Sequence, residues 1–93
     1  MKHYIIVKFK DKEAGLRLVP EIGALFEKTL LLDGVKGVTL HETNSERENR
    51  YHLMIEMTLT PEGLEAFDGS DVHRYWKATY GDLLESKTIF DCE

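Results

Sequence analysis

His73 and His3 are the residues of this chain whose side chains offer chemistry near neutral pH. An imidazole takes up and returns a proton within one reaction cycle, which suits it to act as general base and acid. His73 falls in a helix-like stretch from Asp71 to Tyr80, and Trp76, three residues on, lies on the same helix face. A flat apolar ring beside an imidazole suits a pocket for a small, partly apolar organic ligand. Tyr80 ends that stretch. His3 sits on a strand-like run and shares a face with Ile5 and Val7, where it either lines the pocket or orients His73. Each residue also has a plainer reading: a helix histidine bonded to a backbone carbonyl, a strand-end histidine, a tryptophan packed on a sheet.

The remaining polar groups suggest less. His3 and His73 lack a carboxylate at ligand spacing, so neither a metal nor a cofactor is expected. His41 and His52 flank a polar stretch and read as surface residues. Glu56 reads as an ion-pair partner of Lys8 or Lys10 across a sheet, at a dimer interface. No Ser–His–Asp pattern, phosphate-gripping glycine loop or flavin signature stands out. Twelve Lys and Arg against 17 Asp and Glu leave a formal charge of −5, with the basic residues dispersed. That balance argues against nucleic acid and against an anionic membrane surface, both of which want a basic face. One cysteine, Cys92, leaves no internal disulfide and no cysteine-based zinc site. With no apolar run of membrane length, a cytoplasmic, soluble protein is expected.

These residues need elements to hold them, and 93 residues suffice for one domain, 1–93. Lys2–Lys10 alternates as a strand, with His3, Ile5, Val7 and Phe9 on one face and Tyr4, Ile6, Lys8 and Lys10 on the other. Asp11 is suited to cap the next turn. Leu18, Ile22, Leu25, Thr29 and Leu32 form a helical stripe, widened by Val19, Phe26 and Leu30. Pro20 predicts an irregular start and a regular helix from about that residue. Gly34 suits a left-handed stop. Val35–His41 is a second strand, and Glu42–Arg50 a solvated connection. In Tyr51–Leu59, Tyr51, Leu53, Ile55, Met57 and Leu59 face one way, and His52, Met54, Glu56 and Thr58 the other. Thr60-Pro61 opens a helix that stops at Asp68-Gly69; Ser70 caps the next, and Gly81 closes it. A last strand covers about Glu85–Cys92. The sum is α+β: strand–helix–strand–strand–helix–strand, one sheet with helices on one side. The other side carries Tyr4, Ile6 and Met54 and predicts a twofold homodimer, sheet against sheet.

The head Lys2–Asp11, the turn Gly34-Val35-Lys36-Gly37-Val38 and the ending Ile89-Phe90-Asp91-Cys92-Glu93 resemble the stress-responsive dimeric α/β-barrel (Dabb) family over essentially the whole chain. The resemblance implies a ferredoxin-like βαββαβ protomer with a four-stranded antiparallel sheet, two of which form a barrel. Some members are polyketide cyclases, whose helix carries His-Pro-x-His after a Tyr, with a further His on the first strand. On that pattern His3 matches the strand His and His73 the final helix His. Ser70 and Asp71 replace the first His and the Pro, Phe67 replaces the Tyr, and Leu25 replaces a second pocket Tyr. The resemblance thus implies His73 as base and His3 as its partner, with Ile5, Val7, Leu25, Phe67 and Trp76 as pocket wall and Tyr80 as substitute phenol. The alternative is a non-catalytic, stress-associated dimer.

Overall fold

Local signals settle most of the element boundaries. The computed structural model describes residues 1–93. After β1 (Lys2–Phe9) the Asp11 carboxylate accepts the Ala14 amide at 3.0 Å and opens α1 (Lys12–Arg17). The segment before Pro20 is therefore a helical turn and not the irregular stretch expected. Pro20 ends it indirectly: lacking an amide, it fits only a first turn, so α2 (Val19–Glu27) starts afresh. From Lys28 to Leu31 the chain tightens into a 3-10 turn, which carries residue 30 off the 3.6-residue stripe. Leu30 is consequently 46% exposed and does not widen the buried face.

Gly34 takes φ 91°, and a Cβ there would meet the Thr60 hydroxyl and lie 2.8 Å from Gly63 Cα. It leads into β2 (Val35–Glu42). β3 (Leu53–Leu59) comes after the polar connection. Thr60 accepts the Gly63 amide at 3.0 Å and starts α3 (Pro61–Asp68). Ser70 caps α4 (Asp71–Tyr80). Gly81 does not close α4 as a left-handed residue; it keeps right-handed geometry (φ −54°) and continues into a 3-10 turn, Gly81–Leu83. β4 (Leu84–Cys92) completes the chain.

The antiparallel sheet has the order β2-β3-β1-β4. Its helix side presents Ile5, Val7, Phe9, Leu53, Ile55, Met57 and Leu59, all buried, to Ile22, Phe26, Phe67 and Trp76. Phe26 packs edge-on to Trp76, with centroids 5.3 Å apart, and tilts against Phe67 at 5.8 Å. These rings fill the interior.

The opposite side is uncovered in the protomer. Tyr4 faces Phe90 across the β1–β4 pair at 6.3 Å, and Phe90 is 56% exposed. Glu56 on this side pairs with Lys2 and His41, each at 3.0 Å, and not with Lys8 or Lys10 as expected. Lys2, the larger influence, and His41 hold its carboxyl below the usual range. No helix is long and apolar enough to cross a membrane.

The strand alternation expected for residues 51–59 fails at its first two positions. Tyr51 lies exposed, its hydroxyl 2.7 Å from Thr88 Oγ1. His52, expected at the surface, is buried, so both His52 and Leu53 point inward. The reason is hydrogen bonding: the His52 amide donates to the Val7 carbonyl at 2.8 Å, and its Nδ1 accepts the Phe9 amide at 3.0 Å. The imidazole stacks on Phe9 at 6.2 Å, and burial, then Lys12 and Lys8, push its pKa down.

Candidate functional site: a two-histidine cleft

The β1–β4 register places His3 opposite Asp91, Ile5 opposite Ile89 and Val7 opposite Lys87. Strand alternation turns all six toward the helices. Helices α3 and α4 end and begin above this row. Ser70 Oγ accepts the His73 amide at 3.1 Å and donates to the Phe67 carbonyl at 2.6 Å. One cap thus fixes both residues that reach over the sheet. The result is a half-open cleft of about 250 Å³ lined by His3, Ile5, Leu64, Phe67, Asp68, His73, Trp76, Lys87, Ile89 and Asp91.

His73 Nδ1 lies 3.0 Å from the Asp68 carbonyl oxygen. A carbonyl only accepts, so Nδ1 carries the proton and Nε2 is the lone-pair nitrogen of the neutral ring. His3, 6% exposed, has Nδ1 2.5 Å from Asp91 Oδ1. The same logic gives His3 a free Nε2. The Phe67 ring sits 6.0 Å from His3 and 4.9 Å from His73, against both imidazoles. His3 therefore does not orient His73 by a hydrogen bond; Asp91 holds the one and the Asp68 carbonyl the other.

The expected wall is only partly realised here. Ile5, Phe67 and Trp76 form the floor, each at most 2% exposed. Val7 is fully buried in the core beneath. Leu25 and Tyr80 line a different groove, between α2 and α4. Tyr80 cannot polarise a carbonyl beside His73, because its hydroxyl is 2.6 Å from Glu21 Oε2 in that other groove. Sequence reasoning missed Asp91 and Lys87. Their alternation with Ile89 was visible, but the pairing of β4 with β1 that brings Asp91 to His3 was not. No three His, Cys, Asp or Glu side chains converge as a metal-binding group.

No protein-family model matches the sequence, and no curated protein does. Solved structures do match. A Dabb family protein with a ferredoxin-like fold from Mesorhizobium loti superposes with a TM-score of 0.74 at 13% identity, covering 99% of this chain and 93% of that one. The fold is ferredoxin-like, as in that protein. A dimeric protein of unknown function with a ferredoxin-like fold from Bacteroides fragilis gives 0.81 at 12% identity, over 99% of this chain and 93% of its own. A dimeric ferredoxin-like protein of unknown function from Jannaschia gives 0.80 at 16%, over 99% and 96%. The four-stranded sheet with helices on one side is thus shared with these proteins.

Proposed function

We propose that residues 1–93 act as one Dabb domain that dimerises through the uncovered sheet face and performs acid–base chemistry on a small, partly apolar carbonyl compound in the cytoplasm. The observation that carries the chemical part is the pair of imidazoles, each with Nδ1 tied up and Nε2 free, on either side of Phe67 in one cleft. His73 Nε2 removes a proton from the carbon between two carbonyls, leaving an enolate. The enolate carbon attacks another carbonyl carbon of the same molecule, forming the C–C bond and breaking the C=O π bond. The imidazolium of His73 then returns its proton to the new alkoxide. Lys87 at the cleft wall supplies positive charge toward the enolate oxygen, the part that the missing phenol leaves open. His3, steered by Asp91, stands as the second base.

The dimer reading rests on the side chains of the uncovered face, Tyr4, Ile6, Met54 and Phe90, and on the dimeric assembly of the Bacteroides and Jannaschia proteins. A second reading, a non-catalytic stress-associated dimer, draws on the small size of the histidine cleft: about 250 Å³ falls short of the ~300–1,000 Å³ usual for ligand pockets.

The deciding measurement is proton–deuterium exchange at the central carbon of a simple β-diketone, followed by NMR with the protein and with His73→Ala. The catalytic reading expects the variant to lose about 10²-fold or more of the protein-dependent rate. Equal rates for the two proteins remove His73 as the base and leave the non-catalytic dimer.

A further inference from the structure

The largest cavity of the molecule, about 440 Å³, is the groove between α2 and α4. It lies on the helix side, so dimerisation through the sheet leaves it open. Its walls are apolar and aromatic: Leu25, Val72, Tyr75 and Tyr80, with Tyr75 edge-on to Tyr80 at 6.4 Å. Two opposite charges stand along one wall, Glu21 on α2 and Lys28 at the start of the 3-10 turn that continues it, seven residues apart. At helical rise that is about 10 Å along the axis. Neither forms an ion pair within this chain. Across from them Asp71 is already paired with Arg74.

Glu21 is half engaged. The Tyr80 hydroxyl donates to its Oε2 at 2.6 Å, and burial, then Glu21, raise the Tyr80 pKa, so this phenol stays protonated and remains a donor. Glu21 Oε1 receives no hydrogen bond from the chain. The groove therefore presents an accepting carboxylate, a separate unpaired ammonium and two phenol rings between apolar walls.

We infer that the groove between α2 and α4 is a second binding site, for a dipeptide-like zwitterion with an aromatic side chain. The ligand ammonium meets Glu21 and its carboxylate meets Lys28. A two-residue chain spans roughly 7 Å, which bridges the gap once the side chains of Glu21 and Lys28 reach inward. The ligand ring lies on Tyr75, which is 54% exposed, with the buried Tyr80 ring edge-on behind it. An alkyl amine would satisfy only Glu21 and a fatty acid only Lys28, which is why charge complementarity selects a molecule carrying both. The site shares none of its lining residues with the histidine cleft, and its occupation is independent of the chemistry proposed there.

The single tryptophan reports on the groove, because the Trp76 ring lies tilted against Tyr80 at 5.5 Å. Trp76 fluorescence is titrated with glycyl-phenylalanine, with its N-acetyl form and with its C-terminal amide. The zwitterion is expected to bind roughly fivefold tighter than either capped form, the size of one partly exposed ion pair. Glu21→Gln keeps an acceptor for Tyr80 and should erase the penalty of N-acetylation alone. Lys28→Met should erase the penalty of amidation alone, and His73→Ala should leave all three affinities unchanged. Equal affinities for the three ligands, or no saturable response up to ~10 mM, overturns the assignment. Should Glu21→Gln fail to fold, Lys28→Met and the capped ligands still decide.

Discussion

His52 makes the stability of this fold sensitive to mild acid. Its ring is buried, accepts the Phe9 amide through Nδ1 and stacks on Phe9. Protonation turns Nδ1 into a donor facing another donor, beside Lys12 and Lys8. The folded pKa is therefore depressed, by burial first, while the unfolded chain titrates near ~6.5. The contribution is fully present above ~6.5 and is lost as pH falls toward the folded value, because the unfolded state binds the proton first. The loss can reach about 1.4 kcal/mol per pH unit, so at most about 2 kcal/mol between pH 6.5 and 5. The assay is urea unfolding from pH 8 to 5 at one protein concentration, since dimerisation would shift the midpoint. His52→Asn is the comparison, because its side-chain oxygen can replace Nδ1 as acceptor without titrating. The wild-type midpoint should fall below pH 6.5 and the variant's should not. Parallel profiles would refute the reasoning.

Two further perturbations test the frame. Gly15→Ala places a methyl group into the Phe9 ring, which the helix backbone cannot move aside; it should lower stability by about 1–3 kcal/mol in thermal unfolding. Ile6→Glu puts a charge in the middle of the uncovered sheet face. Sedimentation is expected to show a dimer for the parent and a monomer for the variant, and a concentration-independent monomer for the parent itself would end the barrel reading.

Much of the fold was legible because single residues announce it. The alternation of His3, Ile5, Val7 and Phe9, the Thr60-Pro61 start, the Ser70 cap and the Gly34 stop all hold. What failed depends on partners remote in sequence. Tyr51 and His52 swapped faces because Val7 and Phe9 offer hydrogen bonds that a local pattern does not record. Leu30 turned outward because α2 tightens after Glu27. The histidine cleft was half visible: His3, Ile5, Phe67, His73 and Trp76 do share it, whereas Leu25 and Tyr80 lie across α4 in another groove. Asp91 was missed, since only the strand register brings it to His3.

That register also sets when the cleft can exist. Lys2 pairs with Cys92, and the His3–Asp91 bond joins residues 88 positions apart. Central strand β1 must wait for β4 before its second edge is satisfied, and such distant pairings fold slowly. A growing chain that has not yet reached residue 91 leaves His3 without its carboxylate. The His3–Asp91 pair therefore comes into being only with the completed sheet, and forms lacking β4 would lose it together with one wall of the cleft.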